Sequence, residues 1–269
     1  MKFRVEHLTQ FEYETSVFET TNEIRLQPCG VIQQCEDFTI KIDPSVEIYT
    51  YNDYFGNAVH YFSVLAPHDR LSIVTSAIIQ TCSGIYPATE QELSNLYDYQ
   101  FSSRYAILSP AAIEYASRFS SDEALSDPEG LAQKICETIL SEFEYKKGVT
   151  DVDSTVDQLL EQKRGVCQDF AHLMITLCRC LGLPARYVSG YIYIGDEQEG
   201  ASHAWCEIYC GAAKGWIGFD PTRKTLRVND NYIKIGTGRD YADVTPVRGT
   251  YKGKAKESLK VRVRISKVS

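Results

Sequence analysis

Three residues of the sequence have the types and spacing for nucleophilic chemistry at a carbonyl carbon: Cys167, His203 and Asp220. The first stands in Gly165-Val166-Cys167-Gln168-Asp169-Phe170, at the head of an apolar period through Phe170, Leu173, Met174, Leu177, Cys178 and Leu181. Residues three and four apart share one helix face, so the spacing predicts a helix from about 167 to 181. Gly182 stops it and Pro184 prevents its continuation. Cys167 then falls in the first turn, where unpaired N–H groups and the positive end of the helix dipole favour a thiolate. The thiolate is the nucleophilic form, and the N–H of the same residue can donate to an oxyanion. A packed thiol would occupy the same position, so the reading depends on partners.

Those partners are sought in 202–220, SHAWCEIYCGAAKGWIGFD, which reads as a β-hairpin. Strand parity puts His203, Trp205, Glu207 and Tyr209 on one face and Ala204, Cys206, Ile208 and Cys210 on the other. On the second strand Trp216, Gly218 and Asp220 share a face, opposite Ile217 and Phe219. With the apolar faces turned to the core, His203 and Asp220 lie on the same side. A two-residue loop at 211 and 212 sets the two directly opposite, with Cβ atoms roughly 4.5–5.5 Å apart. A four-residue loop moves them to a diagonal on that face. Either way a carboxylate can orient the imidazole and stabilise its charged form. Read separately, His203 is an edge-of-core histidine and Asp220-Pro221-Thr222 a turn starter. The two tryptophans on the His203 face, Trp205 and Trp216, are candidates to wall a substrate cleft, or simply to pack.

The elements that must position these residues fall into two parts. Residues 1–85 alternate as short strands, in FRVEHLTQFEY, FTIKIDP, HYFSVLAP and RLSIVTSAIIQT, with turn residues between them. Such a run without a long helix suggests an antiparallel β-sandwich-like domain. Residues 86–269 change character. Helices are predicted over 110–120 and 128–143, each opened by proline, then over 167–181. Strands follow near 185–194, 202–210 and 215–220. A last strand at about 258–268, with Leu259, Val261, Val263 and Ile265 alternating, is free to pair with either sheet. The fold class is therefore α+β.

Composition narrows the chemistry further. A net charge of −8 argues against a nucleic-acid grip, which needs clustered Lys and Arg. No stretch approaches the roughly 18 apolar residues of a membrane span, and MKFRVEHLTQ has no leader-like apolar run, so a cytoplasmic protein is expected. Nine cysteines, an odd number with no CxxC pair, point to reduced thiols rather than disulfides or a zinc knuckle. DVDSTVD at 151–157 resembles the opening of a calcium loop but lacks Gly at the sixth place and Glu at the twelfth. No metal or cofactor is expected. His172, about 140° around the helix from Cys167, is read as satisfying a buried hydrogen bond, and Asp169 as a cap. Gly236-Thr237-Gly238-Arg239 lacks the strand-to-helix setting of a phosphate loop. Tyr49, Tyr51, Tyr54 and Phe55 of the first domain could contact substrate or only the other domain, and packing is the favoured reading.

The blocks RGVCQDFAHLMITLCRCLGLPARYVSGY, ASHAWCEIY and GWIGFDPT resemble the three motif blocks of the transglutaminase-like superfamily, in the same order. Residues 1–80, with NDYFGN and PHDRL, resemble the N-terminal region of its bacterial members, and GRDYADVTPVRGTYKG their C-terminal segment. The resemblance implies a papain-like α+β core with Cys167 as nucleophile, His203 as base and Asp220 as its orienter. It also implies that Arg239, Asp240 and Tyr241 border the cleft, although a salt-bridged loop is the favoured reading of them. The implied reaction is attack on a glutamine side-chain amide or peptide carbonyl of a protein or peptide substrate. A thioester follows, released to water or to an amine, with hydrolysis favoured because no amine site is visible. A binding module that keeps the fold without activity is the alternative, and it has no need of the full Cys, His and Asp set.

Overall fold

The computed structural model describes residues 1–28, 33–82, 88–120, 126–148, 154–196 and 202–268. The domain boundary expected at 85–86 and residues 151–153 of the calcium-loop-like stretch lie outside them. No helix among the described residues is long and apolar enough to cross a membrane.

The alternation that begins at Phe3 runs on past Tyr13 and produces one strand, β1 (Lys2–Ile24), long enough to serve two sheets. Phe3, Val5, His7 and Thr9 are buried while Arg4 and Glu6 are exposed. Register shifts between Glu12 and Val17 and between Phe18 and Thr21, with Glu19 at φ 51°, divide the strand into two halves. The first half pairs with β5 (His68–Thr81), which in turn pairs with β2 (Gln33–Asp43). The second half pairs with β4 (Ala58–Val64), which continues to β3 (Tyr49–Asn52). Tyr13, Val17, Ile24, Phe62, Leu71 and Ile73 fill the space between, giving the sandwich-like core.

Of the two sheets open to it, the C-terminal strand joins this one. The chain returns through β12 (Val247–Lys252) and β13 (Glu257–Lys267), both antiparallel to β1, with Val5 opposite Ile265 and Asn22 opposite Gly249. The strands of 247–267 thus complete the first unit rather than the second.

The second unit holds α1 (Glu90–Ser94), α2 (Pro110–Ser117), α3 (Pro128–Glu142), α4 (Val156–Gln162) and α5 (Cys167–Cys180). Between α3 and α5 run two short parallel strands, β6 (Glu144–Tyr145) and β7 (Arg164–Gly165). A four-stranded antiparallel sheet follows, in the order β10 (Trp216–Phe219), β9 (Ser202–Tyr209), β8 (Ala185–Ile192), β11 (Tyr232–Gly238). Helix α5 is not amphipathic in its setting: every residue from Asp169 to Arg179 is buried. One side meets Ala204, Cys206, Ile208 and Phe219 of the sheet, and the others meet Ala112, Ile135, Ile139 and Leu159 of the surrounding helices. The buried Arg179 is satisfied by backbone oxygens, donating to Phe101 at 3.0 Å, Ala185 at 2.8 Å and Arg239 at 2.6 Å.

The two units meet along β11. Ile233, Ile235 and Tyr191 pack on Phe3, Val5, Ile79 and Ile265. Asn57 of the NDYFGN turn acts as a strand partner for Thr237, donating Nδ2 to its carbonyl at 2.8 Å and accepting its N–H at 2.8 Å. Gln33 repeats the arrangement at Lys234, accepting its N–H at 3.0 Å and donating to its carbonyl. The edge of β11 is thereby closed by side-chain amides. Tyr54 also crosses to the second unit, donating to Asp98 at 2.8 Å, and Phe55 packs at Tyr99. Tyr49 and Tyr51 stay exposed.

Candidate active site

The α5 helix begins at Cys167 because two devices hold the turn before it. Asp169 folds back so that its carboxylate accepts the Val166 N–H at 2.8 Å, and Gly165 makes room for it. A Cβ on Gly165 would lie 2.7 Å from Asp169 Oδ2 and 3.0 Å from a methyl of Leu159. Cys167 is half-buried and is the first helical residue, so its N–H has no acceptor within the helix. Strand β6 lies parallel to β7, with Tyr145 opposite Gly165. That pairing sets Tyr145 beside Cys167, whose charge reaches the phenol. Burial, then the charge and hydrogen bond of Cys167, push the Tyr145 phenol up.

The hairpin delivers the other two residues. The loop is the four-residue form, 211–214: Cys210 N–H donates to Gly215 at 2.8 Å and Trp216 pairs with Tyr209. Gly211 and Gly215 have φ of 89° and 61°, which makes this turn accessible and displaces the two-residue register. His203 and Asp220 therefore stand diagonally on one face, as that longer loop requires. The ring closes the gap, with Nε2 at 2.7 Å from Asp220 Oδ2. Cys167 acts on the same ring, through a hydrogen bond and its charge.

Burial alone would push the His203 ring down. Hydrogen bonds from Asp220 and Cys167, then their charges, override it and lift the ring to about 9. Asp220 has no solvent exposure. Burial would raise its carboxyl, but bonds from His203 and Thr222 hold it below the ordinary carboxylate value. Thr222 donates its N–H at 2.9 Å and its hydroxyl at 2.6 Å to Oδ1. Tyr232 donates its hydroxyl to Oδ2 at 2.8 Å. The Asp-Pro-Thr turn is thus part of the site, holding the carboxylate from its far side.

The tryptophans do not wall a cleft. Trp205 is fully buried on the same face as His203, its ring 6.3 Å from that of His203 and 5.3 Å from that of Tyr232, and it fills the space beside Gly190. It supports the His203 ring. Trp216 pairs with Tyr209, six residues along β9 from His203 or roughly 20 Å. There it packs on Tyr99, Tyr209 and the Arg186 guanidinium. Strand pairing explains the placement, since the longer loop carries Trp216 to the far end of the hairpin.

Other sequence candidates are structural. His172 Nε2 accepts the Tyr241 N–H at 3.2 Å and the ring stacks on Tyr105; burial lowers it to about 4, so it is neutral. Arg239 pairs with Asp243 at 2.9 Å. Asp240, 1% exposed, accepts the N–H of Tyr105 at 2.8 Å and of Ala242 at 2.9 Å. Three residues that sequence reasoning passed over belong to the site: Tyr145, Thr222 and Tyr232. None of the three stood out in sequence: Tyr232 heads Tyr232-Ile233-Lys234-Ile235, a strand buried on both faces and followed by glycines. Among the described residues no group of His, Cys, Asp and Glu is arranged to hold a metal.

Residues 115–221 match the model of the transglutaminase-like superfamily, and residues 3–80 that of the bacterial transglutaminase-like N-terminal region. An uncharacterized protein of Mycobacterium leprae is 32% identical over all of this chain and 99% of its own length. The chain belongs to the transglutaminase-like superfamily. Part of it is also similar to a protein-glutamine gamma-glutamyltransferase of Pseudomonas aeruginosa, 32% identical over 37% of this chain and 16% of that protein. A Cytophaga hutchinsonii structure named as a putative cysteine protease superposes over 100% of this chain and 91% of that chain. Its TM-score is 0.79 at 24% identity, which shows the shared fold. The transglutaminase-like core accounts for the joint placement of the helix start and the hairpin, and the N-terminal region for the sandwich that clasps β11.

Proposed function

We propose that this protein is a thiol enzyme that forms a thioester with a glutamine side-chain amide or a peptide carbonyl of a protein substrate. The observation that carries the reading is the 2.7 Å hydrogen bond from His203 Nε2 to Asp220 Oδ2, on a ring that Cys167 also acts on and that the two together lift to about 9. An imidazolium beside a sulfur at a helix start is the pairing that covalent acyl transfer needs.

The sulfur attacks the carbonyl carbon, and the carbonyl electron pair moves onto oxygen. The Cys167 N–H, unpaired at the helix start, donates to that oxygen. As the carbonyl re-forms, the carbon–nitrogen bond breaks and the His203 imidazolium passes its proton to the leaving nitrogen. Ammonia or an amine departs and a thioester remains. The neutral ring then takes a proton from water, whose oxygen attacks the thioester; the carbon–sulfur bond breaks and the thiolate–imidazolium pair is restored. An amine in place of water gives transamidation. Hydrolysis is the preferred second step here, because water is always at hand and nothing in the sequence marks an amine site. Asp220 stays ionised throughout and fixes the ring, with Thr222 and Tyr232 fixing Asp220.

Low-concentration iodoacetamide at neutral pH tests the reading. Selective alkylation of Cys167, slowed in His203→Ala, is the expected result; uniform slow labelling of all exposed cysteines would sink it. Mass spectrometry of a glutamine peptide, with and without a primary amine, then separates hydrolysis from transfer.

A further inference from the structure

The strand that completes the first sheet leaves part of its own outer edge unpaired. Only one edge of β13 meets another strand, β1. Just beyond its two ends, Val268 N–H donates to the Lys2 carbonyl at 2.9 Å and Glu14 N–H to the Lys256 carbonyl at 3.0 Å. Antiparallel ladders alternate, so the even-numbered residues between these points bond to β1 and the odd-numbered ones turn their N–H and C=O groups away. Lys267 has that parity, and its N–H reaches outward to Asp196 Oδ1 at 3.1 Å. Val263 and Ile265 are buried. Glu257, Leu259 and Val261 are exposed, and among the described residues no hydrogen bond reaches their outward N–H or C=O groups. Such an edge is a template for one more strand.

The side chains along this edge carry one sign. Between Arg248 and Lys267 stand eight Lys and Arg residues and a single acid, Glu257, in a chain whose net charge is −8. Lys252 is paired with Glu19, and Glu257 lies opposite Tyr13. Lys260, Arg262 and Arg264 share the outer face of β13. All three are exposed, and none has an ion pair among the described residues. Their neighbours across the ladder are Gln10, Leu8 and Glu6. Lys254 and Lys256, just before the strand, are exposed as well. The other face is apolar where the edge is open, with Leu259 58% and Val261 46% exposed. Edge lysines repel a second copy of the same strand, because pairing would set Lys260 and Arg262 against like charges. They do not repel a strand of the opposite charge, whose acids would pair with them across the ladder.

We infer that the open edge of β13 receives an extended acidic segment of a partner protein. The segment adds as a strand, with acids beside Lys260 and Arg262 and apolar side chains beside Leu259 and Val261. The free main-chain groups select a polypeptide. A nucleic acid or a lipid headgroup would use the cations and leave the N–H and C=O pattern unmet. The surface belongs to the first unit, and its role is independent of the chemistry at Cys167.

The probe is a blocked, dye-labelled peptide that alternates Glu with Val, titrated with the full-length protein and read by fluorescence anisotropy. Saturable binding that weakens with added salt is the expected result. Amide exchange at Leu259 and Val261 should slow on binding, and a peptide alternating Lys with Val should not bind. Lys260→Glu with Arg262→Glu, both at exposed positions, should cut binding of the acidic peptide at least tenfold and confer binding of the basic one. Val261→Pro removes an outward N–H that β1 does not use, so the ladder survives while the edge is blocked. It too should cut binding at least tenfold, with every charge kept. If Val261→Pro does not fold, the charge-reversed pair decides. No binding of the acidic peptide, or binding unchanged in either folded variant, would overturn the assignment. So would a single-stranded oligonucleotide or an anionic phospholipid vesicle that binds more tightly than the peptide and is indifferent to Val261→Pro. A dimer of the wild type that Val261→Pro dissociates would give the edge to a second copy and overturn it likewise. Alkylation of Cys167 should be normal in both variants.

Discussion

Tyr232 gives its hydroxyl proton to Oδ2 of Asp220 at 2.8 Å, the same oxygen that meets the His203 ring at 2.7 Å. The tyrosine comes from β11 and the aspartate from the end of β10, the two outer strands of the sheet. Their contact locks the carboxylate in one rotamer and so sets the plane of the imidazole. Tyr232→Phe removes that donor while keeping the ring. Hydrogen bonds to charged groups contribute about 1.5–3 kcal/mol, so alkylation of Cys167 by iodoacetamide should slow roughly tenfold. Thermal stability should fall slightly. An unchanged rate would mean that Thr222 alone fixes Asp220.

The His203 ring is raised in the fold from its ordinary 6.5 to about 9. A raised group stabilises the fold fully below its unfolded value, and the contribution fades as pH climbs through the folded value. Protonated His203 should therefore add on the order of 3 kcal/mol below about pH 6.5, lost progressively up to pH 9 and beyond. Denaturant midpoints of wild type and His203→Phe, measured at pH 6 and pH 10, should converge at the higher pH.

Gly190 lies opposite His203 in the β8–β9 ladder. A Cβ there would collide with the Ile233 carbonyl oxygen and sit 2.5 Å from Cη2 of Trp205. The Ile233 contact is with backbone and cannot swing away. Gly190→Ala should cost about 3 kcal/mol or more, and it should reduce Cys167 alkylation by displacing the ring beside His203. Equilibrium unfolding and the alkylation rate read the two effects.

Asn57 supplies two bonds to β11 from the other unit. Asn57→Ala leaves the Thr237 N–H and carbonyl without those partners. We expect a loss of about 2–3 kcal/mol and faster amide exchange at Thr237 than in wild type. Faster exchange confined to the NDYFGN turn would place the role of Asn57 within the first unit alone.

The local parts of this architecture were readable in the chain. The start of α5 followed from Gly165, the apolar period and Gly182; the shared face of His203 and Asp220 followed from parity alone. What escaped depended on distant partners. Strand β11 has both faces buried, so Tyr232-Ile233-Lys234-Ile235 followed by glycines carries no inside–outside contrast to read. Its Tyr232 reaches Asp220 only because β11 lies beside β8. Tyr145 reaches Cys167 only through the two-residue pairing of β6 with β7, too short to leave a pattern. The hairpin register turned on whether Gly211 and Gly215 closed a loop of four, which parity cannot distinguish from two. Trp205 and Trp216 share a face in sequence, yet that register separates them into a buried support and a remote packing residue.

The first half of β1 is paired with β13, from Phe3 facing Lys267 to Tyr13 facing Glu257. Those pairs complete the sheet whose Phe3, Val5 and Ile265 pack on Ile233 and Ile235 of β11. The wall behind β11 is therefore closed by residues far in sequence from Cys167, His203 and Asp220, and a substitution that frees β13 would loosen the candidate site while leaving all three in place.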